Sequence, residues 1–286
     1  MMKISIPSSK LNWKPSQHMF LRFLTPNLHA LTSHPFTICS IPPPSGKSQE
    51  NVLTFFVAAR GGMTGRLAAS AAKLPGFSVP VLLEGPYGGV NSRPLTSYDR
   101  SLVVACGSGA GFSLPFIMSH LVSAEKTAGH KMQVIIATRD PALIEWYEGA
   151  LVDFLEENSL PTTLDGIEIT IHVTSNSEVS FSRPGDVEKR IEGDNVQSKD
   201  DTRKLLIQTA QGRPNVQSII QRTIEESGVS VGMAVCGPES LMAVVQNEAA
   251  RGQRKILSGG GGAREIYLHS EHFRYVLPCP SISNRL

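Results

Sequence analysis

The chain has 286 residues, 41% of them hydrophobic and 18% charged, enough for one large or two medium domains with real cores. A net charge of +2, with basic residues scattered rather than run together, leaves no case for a nucleic-acid partner. Cys39, Cys106, Cys236 and Cys279 have no C-x-x-C spacing, which excludes a zinc ribbon or a dithiol redox pair, and reduced thiols are expected.

The opening residues, MMKISIPSSKLNWKPSQHMF, lack the apolar core of a signal peptide and are poor in Arg for a transit peptide. Upstream of about residue 97 the sequence predicts β structure. The runs MKISI, HMFLRF, HPFTICSI, VLTFFVAA and VPVLLEG are separated by Pro, Ser, Asn and Gly clusters, at a spacing that suits an antiparallel sheet or small barrel. One helix is predicted inside this region, MTGRLAASAAKL after Gly61 and Gly62. Two glycines and a threonine at a helix start suit a pyrophosphate, through free N–H groups and the helix dipole. LLEGPYGG (82–89) reads as a glycine-rich loop joining this half to the next, where a two-domain crevice would lie.

Residues 101–122, SLVVACGSGAGFSLPFIMSHLV, carry no Lys, Arg, Asp or Glu. That is long enough for a membrane span, which needs about 20 mostly apolar residues. Gly107, Gly109, Gly111 and Pro115 favour another parse: a buried strand SLVVAC, a glycine turn, then a helix over 112–128 with Pro115 in its first turn. Such a turn lets a backbone approach a phosphate while the helix start offers N–H groups; a plain buried strand and helix is the alternative.

Further on, strands alternate with helices. MQVIIATR (132–139) precedes PALIEWYEGALVDFLEEN, IEITIHVTS (167–175) is a strand, SVGMAVCG (230–237) precedes PESLMAVVQNEAAR, and REIYLHSE is a last strand. This is the pattern of βαβ units on a parallel sheet. Residues 176–204 differ in texture, charged and poor in aliphatics, and read as a solvated insertion. HPFTICS (34–40), an aromatic beside hydroxyls on a strand, reads either as a ligand surface or as an ordinary sheet face.

HPFTICSIP, ARGGMTGRLA, LLEGPYGG, ACGSGAGFSLPFI, ATRDPALIEWY, QGRPNV and VCGPESLM occur in the order found in the ferric reductase and NADPH oxidase family, over roughly residues 1–273. The chain resembles that family's FAD- and NADPH-binding region, and GSGAGFSLPF with the YLHSEHF ending resembles fungal ferric-chelate reductases most. The resemblance implies a β plus α/β, ferredoxin-reductase-like fold. An antiparallel FAD-binding barrel would occupy 1–96, and a parallel-sheet NADP-binding domain 97–286, with the insertion at 176–204.

By the same resemblance His34 and Pro35 belong to a flavin motif in which Phe36 would stack on the isoalloxazine and Thr37 would bond near N5, with Ser40 beside them. Gly62 and Thr64 would hold the FAD pyrophosphate, and Gly85 and Pro86 would lie at the crevice. Gly107, Gly109 and Gly111 would underlie the NADPH pyrophosphate, with Ser113 near the nicotinamide amide. A 2′-phosphate calls for planar, permanently charged donors; Arg139 and Arg213 are the candidates, either of which reads equally as a surface arginine. Cys236, with Gly237 and Pro238, would orient the nicotinamide, although a buried small hydrophobe is the plain reading of that thiol. Phe273 would cap the flavin.

The family's haem-bearing membrane domain has no counterpart here, and His18, His29 and His34 do not sit on apolar helices. The first strand corresponds to the second of the family barrel, so an incomplete barrel and a truncated product are expected. The tail RYVLPCPSISNRL continues past the family's usual end. The function implied is a ferric-chelate reductase-type oxidoreductase module, passing a hydride from NADPH to FAD and then single electrons to haem, ferric chelates or artificial acceptors. In the family this happens on the cytosolic side of a membrane, which leaves room for a haem-bearing membrane domain or subunit as partner. The alternative is a catalytically silent nucleotide-binding fragment. An ordinary dehydrogenase fails on the N-terminal β region. No metal site is expected.

Overall fold

Strict alternation organises the first half of the chain. In β1 (Met2–Pro7) and β4 (Val52–Val57) every second residue turns inward, and the two pair antiparallel with Ile4 opposite Phe55. A second antiparallel sheet has β2 (Gln17–Phe23) at its centre, between β3 (His34–Thr37) and β5 (Val81–Gly88). The computed structural model describes residues 1–8, 11–25, 31–43, 51–90, 93–123, 127–175 and 207–272. His29, Phe273, Cys279, the expected insertion at 176–204 and the C-terminal tail lie outside the described residues.

The inner faces of the two sheets share one core. Met19, Leu21 and Phe23 meet Leu53, Phe55 and Val57, with Trp13 and Ile38 between them. Met63 and Leu67 of α1 (Gly62–Lys73) join that core. The segment after β3 stitches the sheets together: the Ile38 N–H donates to the Gln17 carbonyl at 2.9 Å, and the Cys39 N–H to the Thr54 carbonyl at 2.7 Å. Among the described residues the first half is therefore two antiparallel sheets joined at a seam. LLEGPYGG corrects the expectation of a loop. It is β5 itself, with Gly85 and Pro86 at an irregularity opposite β2, between the His18 and Phe20 pairings.

The second half is a six-stranded parallel sheet in the order β11-β10-β6-β7-β8-β9. Its elements are β6 (Arg100–Cys106), α2 (Ala110–Val122), β7 (Lys131–Thr138), α3 (Ala142–Glu157), β8 (Ile167–Val173), β9 (Ile207–Gln211), α4 (Val216–Glu225), β10 (Ser230–Gly237), α5 (Glu239–Leu257) and β11 (Glu265–His272). The central strands are apolar on both faces because helices cover both. Val103, Val134 and Ile169 pack on α2 and α3, while Leu102, Ile135 and Met233 pack on α4 and α5. β9 and α4 were not anticipated: IQTAQ carries one strong strand former, and α4 buries only Val216, Ile220 and Ile224.

Helix α2 starts earlier than its sequence suggests. The Gly107–Gly109 turn winds directly into it, so Pro115 stands sixth in the helix and not in the first turn. A proline there forgoes the bond its N–H would make to the Gly111 carbonyl. Burial of Ala110 through Met118 offsets that loss, because the helix lies between the sheet and the first half. Among the described residues no helix is long and apolar enough to cross a membrane.

At the amino ends of the strands Asp99 ties β6 to β10. Its Oδ2 accepts from the Ser230 N–H at 2.7 Å, the Ser230 hydroxyl at 2.8 Å and Arg264 Nη2 at 2.9 Å. These bonds, the Ser230 backbone N–H foremost, hold the carboxyl below its ordinary range. A carboxyl depressed in the folded state stabilises above its unfolded pKa, about 3.9, and loses that contribution as pH falls through the lower folded value. Asp99→Asn should therefore lower the urea midpoint at pH 7, and the gap to wild type should close as the pH drops below about 4.

Candidate functional site

The direction of chain progression reverses between β6 and β10, since β7 lies on one side of β6 and β10 on the other. Parallel α/β sheets bind ligands outside the carboxyl ends of their strands at such a point. An open cleft of about 1360 Å³ lies there. Its floor is Cys106, Gly107 and Ser108 after β6, with Gly237 and Pro238 after β10. Its walls carry Arg139, Trp146 and Arg213, and Ala58, Ala59 and Arg60 close it from the first half.

Local geometry explains why these residues reach the cleft. Gly107 has φ +55°, a region that costs L side chains dearly, and a Cβ there would have no neighbour within 4 Å. The turn thus presents bare backbone to open space, as a diphosphate requires. Arg139 stands between Thr138 and Asp140, and the Thr138 hydroxyl accepts the Asp140 N–H at 3.0 Å. Asp140 Oδ1 in turn accepts the Ala142 N–H at 3.1 Å, where α3 begins. Arg213 comes two residues before Asn215, the N-cap of α4, whose side chain accepts the Ser218 N–H at 3.0 Å. Both arginines are exposed, and among the described residues neither makes a hydrogen bond or ion pair.

The first half contributes Arg60. Its backbone N–H donates to the Thr64 hydroxyl at 3.2 Å, and that hydroxyl donates to the Gly61 carbonyl at 3.0 Å. Its guanidinium reaches the Ser108 hydroxyl of the glycine turn at 3.2 Å. Arg60, Ser108 and Trp146 were missed from the sequence. The signal for Arg60 is its place directly before the two glycines. Trp146 is packed on Phe56 of β4, ring centroids 4.9 Å apart, so it belongs to the cleft and to the junction of the halves together.

Of the residues singled out from the sequence, Gly107, Arg139, Arg213, Gly237 and Pro238 come together in the cleft. Cys236 lies just beneath Gly237, buried, and Gly62 and Thr64 open α1 next to Arg60. Gly109 is buried in the turn. Three expectations need correction. Gly111 faces the first half: a Cβ on it would stand 2.8 Å from Cys39 Sγ, so this glycine permits close packing and does not line the cleft. Ser113 is fully buried, its hydroxyl shared between the Ala110 carbonyl at 2.7 Å and the Tyr147 hydroxyl at 2.5 Å. Ser40 is engaged with β4, donating to the Val52 carbonyl at 2.9 Å and accepting the Thr54 N–H at 3.0 Å.

The HPFT strand, Gly85 and Pro86 line the first half away from this cleft. His34 and Phe36 share a face of β3 with Leu21 and Met19, and Phe36, half-buried, meets Phe55 edge-on at 6.5 Å. Its ring is thus partly barrel packing. Thr37 pairs with His18, which belongs to an aromatic cluster with Phe20 and Tyr87. The end of β11 approaches there: Ser16 Oγ and His269 Nε2 lie 3.0 Å apart, and Glu271 Oε1 lies 3.1 Å from the same nitrogen.

The thiols near the site are neutral. Burial pushes Cys39 up to about 12 and raises Cys106. Cys236 is raised still further by burial and then by the Glu271 carboxylate. A thiol in that state packs and positions; it is no nucleophile at neutral pH.

A family model for the ferric reductase NAD binding domain matches residues 98–250, and one described as an FAD-binding domain matches residues 1–91. No curated protein matches the chain. Among solved structures, the Amycolatopsis cytochrome P450 reductase GcoB aligns at 14% identity and TM-score 0.52, over 95% of this chain and 65% of that one. The flavohemoglobin of Malassezia yamatoensis aligns at 14% identity and TM-score 0.46, over 94% of this chain and 55% of its own. The ferredoxin-NADP+ reductase of Plasmodium falciparum aligns at 10% identity and TM-score 0.47, over 94% and 88% of the two chains. The chain thus spans less than two thirds of the first two. At these identities the likeness to GcoB speaks to the fold: antiparallel sheets followed by a parallel one.

Proposed function

The chain belongs to the ferric reductase family, whose NAD binding domain covers 98–250, and from that premise we propose that it takes a hydride from NADPH onto FAD and releases electrons singly to a ferric acceptor. FAD- and NAD(P)-binding domains in one chain make it an oxidoreductase module of the ferredoxin-reductase type. The finer reading divides it into a flavin domain at 1–96 and a nucleotide domain at 97–286. Its acceptor is a ferric chelate or the haem of a membrane-borne partner.

One observation carries this reading: bare backbone at Gly107 on the floor of a cleft whose walls hold two arginines with no partner among the described residues. A diphosphate on Gly107 and a 2′-phosphate between Arg139 and Arg213 use donors of the right kind. FAD fits the first half on similar grounds. Gly61 (φ +95°) and Gly62 (φ +52°) open α1 with nothing within 4 Å of where a Cβ would be. When bound, FAD supplies the two-electron to one-electron conversion. The chain's own residues bind, orient and exclude water; hydride transfer needs no acid–base side chain, and Cys236 sets the depth at which a nicotinamide ring rests.

The silent-fragment reading is favoured by a separate observation. The hydroxyls of Thr64, Ser40 and Ser113 are all spent on protein groups, which leaves backbone and arginines to do the binding. The visible spectrum decides between the two. With added FAD the chain should hold flavin through gel filtration, and anaerobic NADPH should bleach it. A chain that keeps no flavin at micromolar FAD is the silent fragment.

A further inference from the structure

Arg60 is exposed and belongs to neither glycine turn, yet it touches both. Its backbone N–H is held by Thr64 in the first turn of α1, and its guanidinium crosses 48 residues of sequence to Ser108, between Gly107 and Gly109. It lines the cleft with Gly107 and Arg139. The two turns that expose open glycine backbone, at Gly61–Gly62 and at Gly107, are therefore joined by one residue, whose backbone N–H meets the first and whose permanently charged side chain meets the second.

We propose that Arg60 serves both dinucleotides at once, neutralising a diphosphate at the start of α1 and a second above Gly107, so that binding of either strengthens the other. This rests on the dinucleotide reading above. Two diphosphates held by neighbouring turns repel one another, and the repulsion grows as water is excluded from between them. A planar cation with several donors, placed between the turns, converts that repulsion into a shared contact. Coupling of this kind is reciprocal: the factor by which FAD tightens NADP+ equals the factor by which NADP+ tightens FAD.

Titration calorimetry on the whole chain tests this, with FAD and NADP+ each alone and each in the presence of the other. In the wild type, saturating FAD should tighten NADP+ about fivefold, the low end of ordinary coupling. Arg60→Met should weaken both dinucleotides when measured singly, each about tenfold, and should abolish or invert the coupling. Arg60→Lys, which keeps the charge but loses the fork, should fall between. Lys255→Met, a charge removed from the last turn of α5 away from the cleft, should change neither affinity. Because Arg60 is exposed, its variants should keep the wild-type melting midpoint. Independent binding in the wild type, or an Arg60→Met variant that loses only one dinucleotide, overturns the shared role and leaves the dinucleotide reading standing. A wild type that binds neither overturns that reading itself.

Discussion

Replacing Arg139 and Arg213 together by alanine is expected to raise the dissociation constant for NADPH about a hundredfold while NADH moves less than threefold. Hydrogen bonds to charged groups contribute roughly 1.5–3 kcal/mol each, and tenfold in affinity is about 1.4 kcal/mol, so losing two such contacts reaches that size. The asymmetry follows from chemistry. A 2′-phosphate calls for planar, permanently charged donors such as these two cleft-lining arginines, whereas the diphosphate common to the two cofactors would lie on the bare backbone of Gly107. Neither arginine has a partner among the described residues that its removal would strand, so folding should be unaffected. Each single variant should show about a tenth of the combined loss, and raised salt should shrink the wild-type preference because the contacts are exposed. Equal losses for NADPH and NADH would mean that the pair reads the diphosphate and not the 2′-phosphate.

Gly111→Val is the second change with a large expected effect, and it acts on the junction of the halves. A Cβ at Gly111 would stand 2.8 Å from Cys39 Sγ and 3.9 Å from Phe56 Cβ, and Cys39 is itself buried. Overpacking of this kind costs about 1–3 kcal/mol. The cost also has a direction. Cys39 Sγ donates to the Thr37 carbonyl at 3.4 Å, so pushing the thiol pushes the residue expected near the flavin. Phe56, packed against Trp146 with the rings tilted 31°, would carry the strain into the cleft wall. Hydride transfer needs donor and acceptor at about 3–3.5 Å, so a shift of a few tenths of an ångström matters. NADPH should still bind, while flavin reduction in stopped flow slows at least tenfold. Gly111→Ala combined with Cys39→Ala should recover most of the stability lost by Gly111→Ala alone, since the two residues compete for one space. Additive losses would place the strain elsewhere.

Much of this was legible in the sequence, for identifiable reasons. Short β runs separated by Pro, Ser, Asn and Gly clusters, and the unbroken apolar run SLVVAC followed by a helix, are local patterns, and they distinguish an antiparallel first half from strands of a parallel sheet. The glycine turn was legible because Gly107 needs a backbone conformation that other residues avoid. Arg139 stands at the end of a strand that the sequence predicts, where a carboxyl-end cleft collects side chains, whereas Arg213 follows the unanticipated β9 and is singled out in the sequence only by its permanent charge within QGRPNV.

What stayed hidden depends on contacts between distant parts of the chain. Gly111 and Ser113 share the motif of Gly107, yet one serves Cys39 and the other Tyr147, because the helix that follows the turn rotates them away from the cleft by its own period. LLEGPYGG carries turn residues and still forms β5, because β2 supplies a pairing partner that outweighs local preference. Arg60 carries a sequence signal, its place before Gly61 and Gly62, but nothing in the sequence ties it to the second glycine turn, which only its contact with Ser108 reveals. The sequence by itself determined the order of strands and helices apart from β9 and α4, the glycine turn and the chemistry available to it, since periodicity and backbone preference are written into neighbouring residues. Only the tertiary structure decided which of those residues face the cleft, because that depends on how the two halves pack and which side of each helix the packing leaves open.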